Sequence, residues 1–162
     1  MIFVTVGTHE QPFDRLIKAI DALAREGVLE ESVLAQIGYC TYEPTCCDWK
    51  RFMPALVMRD CMETADIVIT HGGPSSFVEA MVAGKVPIVA PRYKEFGEHV
   101  NDHQEAFVRL VADRLGGIIP VYDTANLGDA IKEARRKSAG GTDFKSHNAA
   151  FCKELCKRID EM

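Results

Sequence analysis

The chain has 162 residues, 47% of them hydrophobic and 27% charged, with a formal net charge of −5 at pH 7, which is enough for one well-buried domain over residues 1–162. The acidic balance and the scattered Lys and Arg residues exclude the basic patch of a nucleic-acid-binding protein, so any anionic ligand must be bound locally. No run approaches the roughly 18–20 apolar residues of a membrane span, and the N-terminus lacks a signal-peptide pattern, so we expect a cytoplasmic protein.

The first part of the sequence predicts strands and helices in alternation. Short β-branched runs indicate strands, and apolar residues at helical spacing between turn-forming residues indicate helices. In chain order, the predicted elements are a strand at 2–6, a helix at 12–27, a strand at 33–37, a short strand at 51–53 and a helix at 55–64. The segment between the second and third strands is rich in turn-forming residues, and its structure is the hardest to predict.

The second part continues the alternation. The predicted elements are a strand at 66–70, a helix at 76–83, a strand at 86–90, a helix at 100–115, a strand at 117–121, and helices at 126–137 and 144–159. Strands that are apolar throughout and alternate with helices indicate a parallel sheet covered on both faces. We therefore predict an α/β fold, a doubly wound Rossmann-like domain, which binds its ligands at the carboxyl ends of the strands.

The six cysteines predict neither disulfides nor a metal site. We expect reduced thiols, because no export signal is recognised and no Cys-x-x-Cys pair occurs. Cys40, Cys46 and Cys47 match no standard zinc spacing, while Cys152 and Cys156 lie one helical turn apart and suit a buried apolar face. The cysteine spacings argue only against a zinc site; for the chain as a whole we also expect no metal and no cofactor, which is an expectation separate from the cysteines.

The loop after the first strand is the first candidate for ligand binding. Gly7 permits a tight exit from the strand, and Thr8 and His9 follow where a hydroxyl and an imidazole could face a ligand. An ordinary turn in which Thr8 acts as a local cap explains the same residues equally well.

The loop after the strand at 66–70 is the second candidate. Gly72 and Gly73 form a turn, and Ser75 and Ser76 then open a helix, an arrangement that points free backbone N–H groups at a phosphate. The alternative is a capping box in which Ser76 and Glu79 bond to each other's backbone and leave nothing for a ligand. The spacing is compatible with both.

The segment PRYKEFGEHVNDHQ, which follows the strand at 86–90, is the third candidate. Its polar side chains include Glu98, His99, Asp102, His103 and Gln104. Such a set suits a sugar, whose hydroxyls both donate and accept hydrogen bonds. The alternative is a solvated loop with Asn101 or Asp102 as the N-cap of the following helix.

The residues from Ala65 to Gln104 resemble the C-terminal, nucleotide-sugar-binding domain of family-28 glycosyltransferases, which is the C-terminal half of a GT-B enzyme. The opening FVTVGT and the chain length resemble its stand-alone versions. These are the small subunit of the eukaryotic enzyme that adds the second N-acetylglucosamine to lipid-linked chitobiose, and the PssE-like subunits of bacterial exopolysaccharide and capsule synthesis. VGTHEQPFDRL and FGEHVNDHQ make the bacterial group the closer match.

The resemblance implies a binding site for a UDP-sugar donor. The implied donor-binding residues are Gly7, Thr8, His71, Gly72, Gly73, Ser75, Ser76, Glu79, Glu98, His99, Asp102, His103 and Gln104. Among these, Gly7 and Thr8 would face the diphosphate, Glu79 would bind the ribose hydroxyls, and the segment from Glu98 to Gln104 would orient the sugar. The catalytic base is left unassigned, with His9 and His99 as secondary candidates.

The resemblance also implies a partner, because related enzymes place their active site between two Rossmann-like domains. The chain would be the donor-binding subunit of a two-part inverting glycosyltransferase that adds a hexose to a lipid-linked saccharide in exopolysaccharide or capsule biosynthesis. A second Rossmann-like, membrane-anchored subunit would bind the acceptor, supply the base and recruit the chain to the cytoplasmic membrane face. The predicted helix at 144–159 is the candidate docking element. The alternatives are a self-sufficient UDP-sugar enzyme and a non-catalytic nucleotide-binding or scaffold module.

Overall fold

A computed structural model of the chain describes residues 1–114 and 116–139. The strands are Ile2–Thr5 (β1), Val33–Gln36 (β2), Asp48–Lys50 (β3), Ile67–His71 (β4), Ile88–Ala90 (β5) and Ile119–Pro120 (β6). The helices are Asp14–Arg25 (α1), Ala55–Thr64 (α2), Pro74–Val82 (α3), His103–Arg114 (α4) and Leu127–Ala139 (α5), with a short 3-10 turn at Thr124–Asn126 before α5. The strands pair in the order β3-β2-β1-β4-β5-β6, and every pairing is parallel. The predicted doubly wound parallel sheet is confirmed.

Both faces of the sheet are buried. Successive side chains of the central strand β1 point to opposite faces and pack against different helices. Ile2 and Val4 of β1 belong to the apolar cluster that includes residues of α1 and α5. Phe3, which lies between them, packs instead with Met62 of α2 and with Ala80 of α3. This period-two division explains why the central strands are apolar throughout rather than alternating in polarity.

Helix α1 ties the turn-rich segment between β2 and β3 to the core. Its Asp21 is buried, and its carboxylate accepts hydrogen bonds from the backbone N–H groups of Thr45 (2.9 Å) and Cys46 (2.7 Å) and from the Tyr42 hydroxyl (2.6 Å). Burial raises the pKa of Asp21, but these hydrogen bonds and the charge of Arg25 lower that pKa overall. The segment therefore has a fixed course although it contains little regular structure.

The predicted third strand at 51–53 is wrong in position, because β3 comprises Asp48–Lys50. Residues 48 and 50 are exposed at the edge of the sheet, and only Trp49 packs against the core. An edge strand of three residues with one partly buried side chain carries almost no hydrophobic periodicity. The sequence pattern therefore does not distinguish β3 from the turn-rich segment around it.

Four of the described helices begin at residues other than those predicted. Helix α1 begins at Asp14 instead of residue 12, and α5 at Leu127 instead of residue 126. Helix α3 begins at Pro74, two residues before the predicted start at Ser76, since proline suits the first helical position. Helix α4 begins at His103 instead of Val100, because Asp102 accepts a hydrogen bond from the backbone N–H of Lys94 (2.7 Å) and so belongs to the preceding loop.

Some predictions concern parts of the chain that the structure does not describe. The predicted helix at 144–159, with Cys152 and Cys156, lies outside the described residues. Among the helices within 1–114 and 116–139, none combines the length and the apolar character needed to span a bilayer.

Candidate functional site

The loops that follow β1, β4 and β5 meet at the carboxyl edge of the sheet and surround a cavity of about 530 Å³. Seven of the predicted binding residues line this cavity: Gly7, Thr8, His71, Ser75, Ser76, His99 and Gln104. His9, a candidate for the base, lines it as well. The three loops that the sequence singled out thus converge on one site, as expected for the carboxyl edge of a parallel sheet.

Six predicted residues do not line the cavity: Gly72, Gly73, Glu79, Glu98, Asp102 and His103. Two of them act through packing, since a Cβ at Gly72 would lie 3.1 Å from Cα of Pro91, and a Cβ at Gly73 would lie 2.3 Å from Nε2 of His71. The backbone of this loop is therefore packed too closely for larger residues.

Glu98 is buried in a contact that holds its own loop. Its carboxylate accepts two hydrogen bonds from the Arg15 guanidinium, both 3.0 Å long, and one from the backbone N–H of Tyr93, also 3.0 Å. Only 3% of Glu98 is exposed. A carboxylate with these partners shapes the loop instead of facing the cavity.

The loop after β1 is held in place by Gln36, a residue that the sequence did not point to. The Gln36 side chain accepts hydrogen bonds from the Thr5 hydroxyl (2.7 Å) and the Gly7 N–H (3.1 Å), and it donates one to the Gly7 carbonyl (3.0 Å). Gly7 itself has a φ of +74°, which favours glycine. The one sequence signal for this role is a polar side chain at the end of a buried strand.

His71, at the end of β4, lies between two glycines. A Cβ at Gly7 would lie 2.5 Å from its Cε1 atom, and one at Gly73 would lie 2.3 Å from its Nε2 atom. Burial, reinforced by the charge of Arg92, lowers the pKa of His71 to about 3. The imidazole is therefore neutral at pH 7. Its Nδ1 atom is buried without a hydrogen-bond partner of standard geometry, and an interaction of the ring with the Thr5 backbone opposes the lowering of the pKa.

The N-terminus of α3 faces the cavity without a side-chain cap. The N-cap residue is Gly73, and Ser76 lies inside the first turn. The capping box that the sequence allowed is absent, because Ser76 does not occupy the capping position. Glu79 instead lies 3.8 Å from Nε of Arg59, and 41% of its side chain is exposed. The positive end of the helix dipole is therefore available to an anion.

Arg92 connects the loops that follow β1 and β5, a structural role that its residue type alone does not indicate. Its guanidinium is 1% exposed and donates hydrogen bonds to the carbonyls of Val6 (2.8 Å), Gln11 (2.7 Å) and Glu98 (3.1 Å). Its backbone N–H donates to the Gln104 carboxamide (3.1 Å), which fixes that side chain at the cavity wall. Burial lowers the pKa of Arg92. The sequence shows only an arginine after a strand, which is also common in solvated loops.

Three histidines form a stack beside the cavity. The rings of His9 and His99 are parallel to within 18°, with centroids 4.6 Å apart. His103 contacts His99 edge-on, also at 4.6 Å. Burial, followed by the charges of His9, His103 and Arg92, lowers the pKa of His99. His9 and His99 come from different loops, so the stack joins the loops that follow β1 and β5.

Another wall of the cavity is apolar. It is formed by Phe52, Met53 and Met58, which follow β3 or lie in α2 and which the sequence did not assign to the site. Tyr39 packs edge-on against Phe52, with ring centroids 5.2 Å apart. The cavity thus has polar and apolar walls, which suits a ligand with a charged group and a flat ring.

The described residues hold no group of three or more His, Cys, Asp or Glu side chains placed to bind a metal ion. The polar groups of the residues that line the cavity are backbone N–H groups, hydroxyls, two carboxamides and imidazoles. These groups can bind an anion and orient hydroxyls, and they contribute through electrostatics and positioning.

Comparisons with known proteins agree with this architecture. A sequence model of the glycosyltransferase family 28 C-terminal domain matches residues 1–158. The fold is similar to the glycosyltransferase of kitacinnamycin (TM-score 0.64, 20% identity, 96% of this chain and 39% of that one). It is also similar to MurG of Acinetobacter baumannii (TM-score 0.57, 16% identity, 98% of this chain and 49% of that one).

A third similar structure is the spinosyn forosaminyltransferase SpnP, with a TM-score of 0.60, 17% identity, and coverage of 96% of this chain and 39% of that one. The chain thus spans less than half the length of these three enzymes. Curated protein sequences give no significant match. The fold is the one predicted from the sequence, that of the C-terminal domain of a GT-B glycosyltransferase.

Proposed function

Because the chain belongs to the family of glycosyltransferase family 28 C-terminal domains, we propose that it is the donor-binding part of a two-part inverting glycosyltransferase with a UDP-sugar as donor. The observation that carries the proposal is the cavity at the carboxyl edge of the sheet, which has one apolar wall and one wall of anion-binding groups. A nucleoside diphosphate sugar has the matching parts, namely a flat base, a diphosphate and a set of hydroxyls.

The diphosphate would bind between the loop of Gly7 and Thr8 and the N-terminus of α3. In an inverting transfer, an acceptor hydroxyl attacks the anomeric carbon while the bond from that carbon to the diphosphate oxygen breaks. Negative charge therefore grows on the diphosphate. The backbone N–H groups and dipole at the start of α3, together with the hydroxyls of Ser75 and Ser76, would stabilise this charge in a fixed geometry.

Neutral His71 supports this arrangement without adding charge. Its ring separates Gly7 from Gly73, so the two anion-binding loops keep a defined spacing. A histidine that stays neutral at pH 7 can act as a donor or an acceptor toward a phosphate oxygen, depending on its tautomer. In this proposal, His71 both positions the loops and contributes one polar contact at the floor of the cavity.

The nucleobase of the donor would lie against the wall of Phe52, Met53 and Met58, where a flat ring can displace water from apolar surface. The ribose would then extend along α3 toward Glu79, whose carboxylate is partly exposed. Binding of the ribose hydroxyls by Glu79 would replace its long contact with Arg59. Such an exposed ion pair contributes little to stability, so exchanging it would cost little.

The transferred sugar would lie near the start of α4. Gln104 is fixed there by its hydrogen bond with the backbone of Arg92, and Asp102 and His103 are exposed on the same segment. We propose that these three residues contact the sugar hydroxyls. Buried Glu98 would serve by holding the loop through Arg15.

A second subunit would complete the active site. Similar enzymes are more than twice as long as the region they share with this chain, and among the described residues no carboxylate that could act as a base lines the cavity. We propose a second Rossmann-like, membrane-anchored subunit that binds a lipid-linked saccharide and supplies the base. We also propose a role in exopolysaccharide or capsule synthesis at the cytoplasmic membrane face, because VGTHEQPFDRL and FGEHVNDHQ resemble segments of the PssE-like bacterial subunits.

Calorimetric titration of the purified chain with UDP, ADP and GDP tests the proposal. We expect saturable binding selective for UDP, weakened at least about tenfold by Glu79→Ala, because a carboxylate that bonds two ribose hydroxyls contributes charge-assisted hydrogen bonds. Glu63→Ala, which removes an exposed carboxylate from α2, is the matched control and should leave binding unchanged. Equal binding of all three nucleotides, or none, would refute a UDP site in this chain and favour a scaffold role.

A further inference from the structure

His9 and His99 form a contact that the proposed donor site does not require. They belong to loops that follow β1 and β5, two strands separated in the sheet by β4. Both residues line the cavity, and their rings stack with centroids 4.6 Å apart. Two loops thus bring titratable rings together beside the proposed diphosphate position.

The groups that face the pair are positive or neutral. Buried Arg92 lies close enough to act on it by its charge, neutral His71 approaches it from β4, and His103 contacts His99 from the start of α4. Of the nearest carboxylates in sequence, Glu98 is bound by Arg15 and Asp102 by the backbone of Lys94, while Glu10 is exposed.

The hydrogen bonds of the two rings leave capacity for a ligand. A ring nitrogen of His9, Nε2, pairs with the Gln11 side chain at 2.9 Å, and Nδ1 of His99 accepts a long 3.4 Å contact from the backbone of Asn101. Each imidazole has a second nitrogen. An anion in the cavity could therefore be contacted by both rings at once.

We propose that His9 and His99 form a phosphate-binding pair that takes up one proton from solvent when the donor diphosphate binds. This inference rests on the proposed function. In the absence of ligand, burial and the charges of the other histidines and of Arg92 lower the pKa of His99 and so disfavour its imidazolium form. A bound diphosphate reverses the balance, since its negative charges lie beside the rings and favour the charged form.

The protonated pair would also favour the transfer step itself, and the proton would return to solvent when the product dissociates. After transfer the diphosphate carries more negative charge than in the donor, so the protonated pair would bind the leaving group more strongly than the intact donor. Interactions that strengthen as the leaving group departs lower the barrier to transfer. His9 and His99 are thus assigned as binding residues for the leaving diphosphate, and the base is still expected from the partner.

Calorimetry in buffers with different ionisation enthalpies measures proton uptake directly. At about pH 7, where the terminal phosphate of UDP (pKa about 6) is mostly ionised, we expect UDP binding to take up roughly half a proton to one proton. The double variant His9→Gln and His99→Gln keeps polar side chains that cannot be protonated. Its proton uptake should fall to near zero and its affinity for UDP should fall about tenfold.

Uridine and a charged variant separate the possible results. Uridine lacks the diphosphate, so it should bind the wild type and the double variant equally and without proton uptake. His99→Lys provides a fixed positive charge, and its affinity for UDP should exceed that of the double variant at least about threefold while proton uptake stays low. Thermal melting of each variant confirms that it is folded.

Two negative results have different meanings. UDP binding with the same proton uptake and affinity in the wild type and the double variant would overturn the role of the pair and leave the donor site intact. If the folded wild type binds neither UDP nor uridine, the proposed function fails, and the inference that rests on it fails with it.

Discussion

The imidazole of His71 fills the space that a side chain on Gly7 would need. A Cβ at Gly7 would lie 2.5 Å from Cε1 of His71, closer than real Cβ atoms approach other heavy atoms. The last residue of β4 and the turn after β1 are thereby packed directly against each other. This contact sets the distance between the two loops that form the polar side of the cavity.

Gly7→Ala should therefore destabilise the protein through two effects. The positive φ of +74° strains any residue with a Cβ, and the clash with His71 adds an overpacking cost of about 1–3 kcal/mol. Gly27→Ala is the matched control, since Gly27 has a φ of +70° but a Cβ there would meet no atom within 4 Å. Urea denaturation should show the larger loss of stability for Gly7→Ala, and equal losses would contradict the packing argument.

The clash can also be tested by removing its partner. His71→Ala alone should destabilise by leaving a cavity, but in that background Gly7→Ala should cost only its backbone strain. The double-mutant cycle should give a coupling free energy of about 1–2 kcal/mol between the two positions. Additive effects would show that Gly7 and His71 do not restrict each other.

Stability should fall on mild acidification because of His71. The pKa of His71 is lowered from 6.5 to about 3 by burial and by the charge of Arg92, so the unfolded state binds a proton more readily than the folded state. The contribution of the neutral ring is complete above about pH 6.5 and declines as the pH falls toward 3, by up to about 1.4 kcal/mol per pH unit.

His71→Asn removes this titration. We expect the free energy of unfolding of the variant, measured in urea between about pH 7 and pH 5, to depend less on pH than that of the wild type. His99 also has a lowered pKa, and it contributes in the same direction in both proteins. Parallel pH profiles for the two proteins would mean that His71 is not buried in its neutral form.

The outline of the fold could be predicted from the sequence because burial on both faces leaves a clear pattern. Ile67–His71 is apolar over most of its length and ends in a glycine turn, so strand and loop were both recognisable. β3 was misplaced because Trp49 is its sole partly buried residue. A hydrophobic period can be recognised only where several side chains of a strand are buried, and an edge strand buries too few.

The site could be predicted only as a set of loops. The glycines and polar residues identified which strand ends surround the cavity, but the hydrogen-bond partners that hold these loops come from distant parts of the chain. Gln36 holds the Gly7 loop, and Arg92 joins the loops after β1 and β5 through backbone carbonyls. Because every residue has a backbone carbonyl, residue types do not show which carbonyls accept these hydrogen bonds. Neither role could therefore be predicted from the sequence. For the same reason, Glu98 was assigned to the sugar, although its carboxylate is held by Arg15.

Asp21→Asn should destabilise the fold without affecting the site. The carboxylate accepts hydrogen bonds from two backbone N–H groups and from Tyr42, whereas an amide has one accepting oxygen and would leave a buried donor unpaired. We expect a loss of about 2–3 kcal/mol in the free energy of unfolding at pH 7. UDP affinity should be unchanged, because Asp21 does not line the cavity.

The pH dependence and a control sharpen this prediction. Since the pKa of Asp21 is lowered below 3.8 in the folded state, its contribution is present above about pH 4 and is lost as the pH falls through the folded-state pKa. The difference between the wild type and Asp21→Asn should therefore shrink in strong acid. Asp129→Asn removes an exposed pair with Lys132 and should change stability by less than about 0.5 kcal/mol. A similar loss for both variants would contradict the role of buried Asp21.

Arg92→Lys should weaken donor binding although Arg92 does not line the cavity. A lysine keeps the charge but cannot reach the carbonyls of Val6, Gln11 and Glu98 together, because it lacks the planar fork of the guanidinium. The loops after β1 and β5 would then lose their common anchor. We expect the free energy of unfolding to fall by about 2–3 kcal/mol and UDP affinity to fall at least about tenfold.

Arg51→Lys is the matched control for this substitution. Arg51 is exposed, pairs with Glu43 and donates to the Cys40 carbonyl in the β2–β3 connection. Its replacement should lower stability by less than about 1 kcal/mol and leave UDP affinity within about twofold of the wild type. Both substitutions keep the positive charge. A loss of UDP affinity in Arg92→Lys but not in Arg51→Lys would therefore show that the donor site depends on the geometry of the hydrogen bonds that Arg92 donates. Unchanged UDP binding in the folded Arg92→Lys variant would instead mean that the hydrogen bonds of Gln36 and the packing of His71 hold the loops without the Arg92 guanidinium.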